Sequence, residues 1–148
     1  MARALIVGCG CRGRELGGQL LAEGWAVRGT SRREEGLEEI AAAGIEPAEA
    51  DPDRPGTILE LVGDVAVLLL LLGNCNGSEE ELAAVHGPRL ERLLEHLVET
   101  PVRGVVYEGT EEGAEVVRAA ERTWRIPVRV VGDGDDPAAL VEGILAGR

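Results

Sequence analysis

Glycines at positions 8, 10 and 13 follow the apolar run Ala4-Leu5-Ile6-Val7 and lead into a helix-forming stretch, giving strand, G-x-G-x-x-G, helix. Each glycine of that spacing has a mechanical part in holding a pyrophosphate. Gly8 permits the tight turn, Gly10 lets backbone approach the phosphates, and Gly13 lets the helix pack close to the strand. Cys11, Arg12 and Gly13 are candidate cofactor contacts where the loop enters the helix, whose free N–H groups and dipole favour an anion. A second strand, Trp25 to Thr30, follows at the distance a dinucleotide site requires. The competing reading is a glycine-rich turn with only a structural purpose.

The tip of the second strand bears on which dinucleotide is bound. An NAD site places a carboxylate there for the ribose hydroxyls, but Val27-Arg28-Gly29-Thr30-Ser31-Arg32-Arg33 has none before Glu34. Thr30, Ser31, Arg32 and Arg33 are the candidate contacts, and their hydroxyl and guanidinium donors suit a 2′-phosphate. NADP(H) is therefore expected ahead of NAD. The alternative is that Arg32 and Arg33 form a solvated approach to the next helix.

The elements that must position these residues alternate along the chain. Strands are expected at 3–8, 26–30, 46–50, 65–72, 103–108 and 128–132, and helices at 12–23, 34–43, 55–62, 78–99, 111–123 and 137–146. Gly24, Gly44 and Gly63 read as stops of the first three helices. Ser78-Glu79-Glu80-Glu81 reads as a capping box, with Gly87-Pro88 breaking and restarting the fourth helix. Such alternation implies an α/β fold: a doubly wound, six-stranded parallel sheet of Rossmann type, order 3-2-1-4-5-6.

Composition narrows the function classes. The 148 residues suit one domain, 1–148, and a formal net charge of −12 excludes the basic footprint needed for nucleic acid or an anionic membrane. The run Val65–Leu72 is too short to span a bilayer, and the immediate start of the first strand leaves no signal peptide, so a cytoplasmic protein is expected. Three cysteines form neither a disulfide framework nor a metal-ligand pattern. No metal site is expected: His86 and His96 point to different helix faces, and Asp133, Asp135 and Asp136 read as a turn. With aromatics at 2%, the two tryptophans are expected to be packing elements.

With these motifs in place, the chain resembles the short-chain dehydrogenase/reductase superfamily, in its extended and atypical branches of NAD-dependent epimerase/dehydratase-like proteins. The likeness runs over roughly residues 3–110. It rests on Gly8-Cys9-Gly10-Cys11-Arg12-Gly13, Ala26 to Arg32, Glu49-Ala50-Asp51-Pro52, Leu71-Leu72-Gly73-Asn74 and the stretch His86 to Glu95. The resemblance implies that Arg32 grips the 2′-phosphate and that Asp51 hydrogen-bonds the adenine amine. By the same likeness Leu72, Gly73 and Asn74 pass beside the adenosine ribose. It also implies a homodimer through helices four and five, for which Ala114, Val117 and Ala120 offer a small-residue face, unless that face packs on the sheet.

The same resemblance implies catalysis by a Tyr and a Lys four residues apart on the fifth helix, the Lys lowering the Tyr pKa. This sequence has no lysine, and its one tyrosine, Tyr107, falls in strand five, where it reads as a packed core residue. Arginine cannot replace the lysine as a titrating partner. Thr110, near the position of the family's catalytic serine, is the candidate proton donor. The expected function is an NADP(H)-binding Rossmann protein without the Tyr-Lys chemistry, acting as a nucleotide-responsive regulatory or interaction module. The alternatives are a small oxidoreductase or epimerase-like enzyme using Thr110, His86 or a partner subunit, and a Rossmann-like domain that binds no nucleotide.

Overall fold

The computed structural model describes residues 2–52, 54–72, 87–132 and 135–146. Strands β1 (Arg3–Val7), β2 (Ala26–Ser31), β3 (Glu46–Glu49), β4 (Val67–Leu71), β5 (Gly104–Glu108) and β6 (Val128–Val130) form one sheet in the order β3-β2-β1-β4-β5-β6. All neighbouring pairs are parallel, with Leu5 opposite Arg28 on one side and Leu68 on the other. The described helices are α1 (Cys11–Ala22), α2 (Glu34–Ala42), α3 (Pro55–Leu59), α4 (Pro88–Leu97), α5 (Glu111–Trp124) and α6 (Pro137–Ala146).

The period of two along each strand sorts the core into two layers. Leu5, Val7, Leu68, Leu70, Val105 and Tyr107 face Ile58 of α3, Leu90, Leu93, Leu94 and Leu97 of α4, and Val117 of α5. Ala4, Ile6, Val67, Leu69 and Val106 face Leu16 and Leu20 of α1, Ile40 of α2, and Val141 and Ile144 of α6. Every residue of β4 is buried, as its unbroken Val-Leu-Leu-Leu-Leu sequence requires of a strand covered on both sides.

Gly24 (φ 93°) and Gly44 (φ 84°) close α1 and α2 in the left-handed region, as the sequence implies. Gly63 does not do this for α3, which stops at Leu59 with Glu60 still right-handed, so that helix is shorter than its sequence suggests. α4 opens on Gly87 and Pro88 as expected, while the capping box at 78–81 lies outside the described residues. α5 ends on Arg125 at φ 58°, a left-handed cap without glycine.

Two expectations are corrected by packing. Ala114, Val117 and Ala120 are 3%, 0% and 8% exposed because they face the sheet, so they form no dimer face. Trp25 packs partly against the core, whereas Trp124 is 41% exposed.

The amino end of the sheet is clamped by charges. Arg28, only 12% exposed along its side chain, pairs with Glu46 of β3 and donates to Asp64 (2.9 and 3.2 Å) and the Leu61 carbonyl (2.8 Å). Arg3 reaches the same Glu46 at 3.0 Å and Asp64 at 3.2 Å. Hydrogen bonds from Arg28 hold both carboxyl groups below their usual range. This cluster fixes β1, β2 and β3 to the turn before β4, leaving the carboxyl ends of the strands to be shaped by loops.

Candidate functional site

The turn after β1 is built by contacts that exclude side chains. Gly8 has φ 83°, and a Cβ there would overlap the Leu71 carbonyl oxygen and sit 3.2 Å from its carbon, so backbone strain and the close approach of β4 both demand glycine. Gly13 faces the Gly8 carbonyl oxygen and Ile6 Cγ2, each 3.2 Å from a Cβ, which lets α1 lie on the strand. Gly10 differs. Nothing stands within 4 Å of its Cβ position, so its lack of a side chain leaves open space beside the start of α1. Its N–H donates to the Gly8 carbonyl at 2.9 Å and its carbonyl accepts from Arg14 N–H at 2.8 Å. No side chain caps α1 and its first turn holds no acid, so its leading N–H groups face that space without a competing carboxylate from the helix itself.

Cys9 is turned inward. Its Sγ fills the place above Gly29 of β2, where a Cβ would lie 2.6 Å from it, and burial pushes the thiol up to about 11 against the opposing charge of Arg14. Such a thiol is packing, not a nucleophile.

At the end of β2, Thr30 is only 2% exposed, so its side chain is enclosed and its carbonyl does the visible work, accepting Cys9 N–H at 3.2 Å. Ser31 Oγ accepts Arg33 N–H at 3.1 Å, and Gly36 is needed because a Cβ there would overlap that oxygen. Arg32 and Arg33 are exposed. Asp51, half-buried after β3, donates its N–H to Thr57 Oγ1 at 2.9 Å, which orders the turn into α3. Leu72 is 2% exposed and donates its N–H to the Glu108 carbonyl at 2.8 Å. Gly73, Asn74 and His86 lie outside the described residues.

At the end of β5, Tyr107 is fully buried and its hydroxyl accepts Thr110 N–H at 3.0 Å. Thr110 caps α5, its Oγ1 accepting Gly113 N–H at 3.0 Å. The candidate proton donor thus has a structural task, though its hydroxyl proton is not consumed by it. Asp135 and Asp136 accept Gly132 N–H (2.8 Å) and Ala138 N–H (3.1 Å), as turn residues do. Among the described residues no group of His, Cys, Asp or Glu could hold a metal ion. No helix among them is long and apolar enough to cross a membrane.

One contact was not anticipated. Arg12 Nη1 meets Glu108 Oε2 at 2.7 Å, with Arg12 51% and Glu108 17% exposed. The only sequence signal for it was an acid at the carboxyl end of a core strand, the edge where doubly wound sheets carry their sites.

No protein-family model matches this sequence, and no curated protein matches it. Solved structures do match in shape. Triphenylmethane reductase of Citrobacter sp., complexed with NADP(H), superposes with TM-score 0.64 at 19% identity, over 86% of this chain and 48% of that one. The fold is the Rossmann fold. UDP-glucuronic acid 4-epimerase of Bacillus cereus, in complex with NAD, gives 0.67 at 12% identity, over 99% of this chain and 64% of that one. Vestitone reductase of alfalfa gives 0.68 at 14% identity, over 88% and 56%. The chain thus spans between about half and two-thirds of the length of these Rossmann proteins. In a Rossmann sheet the ligand crevice lies outside the carboxyl ends of the strands where the order reverses, here between β1 and β4. Gly8, Gly10, Gly13, Ser31, Arg12 and Glu108 all gather at that edge.

Proposed function

We propose that residues 1–148 bind a nicotinamide dinucleotide, NADP(H) ahead of NAD, and act as a nucleotide-responsive regulatory or interaction module. The observation that carries this reading is the open space at Gly10, beside an uncapped α1. A pyrophosphate fits there because the N–H groups of Cys11, Arg12 and Gly13 need acceptors. Ser31, Arg32 and Arg33 would take the 2′-phosphate, with Asp51 at the adenine and Leu72, Gly73 and Asn74 beside the ribose. Matched structures complexed with NADP(H) and with NAD support the class of ligand.

A bound nicotinamide would supply hydride chemistry, but α5 carries neither tyrosine nor lysine, and buried Tyr107 is sealed beneath it. The enzymatic reading is favoured by one observation: exposed Thr110 stands at the end of β5, two residues from Glu108. Calorimetric titration with NADPH and NADH tests the binding proposal, and no heat with either overturns it. Mixing NADPH-loaded protein with a panel of carbonyl compounds separates the two readings. Steady oxidation of NADPH favours the enzyme, and turnover abolished by Tyr107→Phe would refute our account of the site. The homodimer through α4 and α5 would have to use outward positions such as Val98 and Trp124, both exposed. A monomer mass by light scattering at micromolar concentration excludes it.

A further inference from the structure

The Arg12–Glu108 pair joins the two halves of the sheet. Arg12 lies in the first turn of α1, after β1, and Glu108 ends β5, in register with Leu71 of β4. With strands about 4.8 Å apart, the pair bridges roughly 10 Å across the end of β4. That is where the strand order reverses and where a dinucleotide must cross from one half-site to the other. The two partners are unequally fixed: Glu108 is 17% exposed in the wall, while Arg12 is 51% exposed and reaches to it on a long flexible stem.

We infer that Glu108 sets the affinity of the site: it holds the Arg12 guanidinium in the free protein and yields it to the pyrophosphate of an incoming dinucleotide. The inference rests on the dinucleotide reading above. A pyrophosphate seated at the start of α1, the turn that carries Arg12, would compete with Glu108 for one guanidinium, and because it carries more charge and offers bidentate acceptors it wins the exchange. Glu108 therefore weakens dinucleotide binding by the strength of the contact it gives up. An ion pair whose cation is half exposed is modest, so the expected effect is about threefold in Kd.

The test is a double-substitution cycle read by calorimetric titration with NADPH, and with NADH in parallel. Glu108→Gln should tighten binding about threefold, Arg12→Gln should weaken it, and Glu108→Gln added to Arg12→Gln should change nothing further. Glu108→Asp keeps the charge but withdraws the carboxylate by one methylene, and should also tighten binding. That variant separates release of Arg12 from a general loss of negative potential, which Glu108→Asp leaves intact. The inference falls if Glu108→Gln leaves Kd unchanged or raises it, if its gain persists without Arg12, or if only Gln and not Asp tightens binding. Circular dichroism spectra matching the parent protein certify each variant as folded. Binding of neither nucleotide by any of the five proteins overturns the dinucleotide reading, and this inference with it. Binding by all five without the coupling overturns the inference alone.

Discussion

The hydroxyl of Tyr107 lies directly beneath Gly113, so that a Cβ at Gly113 would overlap it and stand 2.5 Å from the ring carbon Cζ. The ring is fully buried and its hydroxyl is held by Thr110 N–H, so it has nowhere to go. On an open helix Gly→Ala gains up to about 1 kcal/mol, but overpacking a fixed core costs about 1–3 kcal/mol. Gly113→Ala should therefore lower the urea midpoint. In a Tyr107→Leu background the same change should be neutral or stabilising. Equal losses in both backgrounds would show that the ring does not require the glycine.

Gly8 and Gly10 are expected to separate fold from binding. Gly8→Val meets a positive φ and the Leu71 carbonyl, and should prevent stable folding. Gly10→Val meets open space at φ −84°, so thermal stability should stay close to the parent while both nucleotides are excluded from the pyrophosphate site. Retained NADPH binding by folded Gly10→Val would place the nucleotide elsewhere.

NADPH should bind at least tenfold tighter than NADH, about 1.4 kcal/mol, from one or two charge-assisted contacts to the 2′-phosphate. Exposed Arg32 is the residue assigned to that contact, and Arg32→Ala should bring the two affinities together. Calorimetry finding equal affinities in the parent protein, or NADH preferred, rejects the assignment.

Acid should loosen the Arg28 cluster. Glu46 and Asp64 have lowered pKa values in the folded chain, so unfolding takes up protons at low pH. Their contribution is complete above the usual carboxylate range, about pH 5, and fades as pH falls through the lowered values. The carboxylates are half exposed, which keeps the effect small. Between pH 5 and 3 the unfolding free energy of the parent should fall more steeply than that of Arg28→Met. Parallel slopes would mean the pairs are absent in solution.

The sequence by itself determined the parallel doubly wound sheet, its strand order, the glycine turn and the burial of Tyr107. The elements follow from short-range patterns, namely apolar runs of strand length, glycines at fixed offsets and helix stops such as Gly24 and Gly44, and the order follows from how such alternating elements cross over. A local pattern constrains backbone conformation directly, because sterics act between near neighbours in the chain. Tertiary structure decided which side chains meet. Cys9 rests on Gly29, Arg28 gathers Glu46 and Asp64, Thr30 is enclosed, the small residues of α5 turn to the sheet, and Arg12 reaches Glu108. These contacts join residues far apart in sequence, and no spacing rule encodes them. The distance between Arg12 and Glu108 is set by the approach of α1 to the sheet and by where each side chain turns, which are properties of the folded chain.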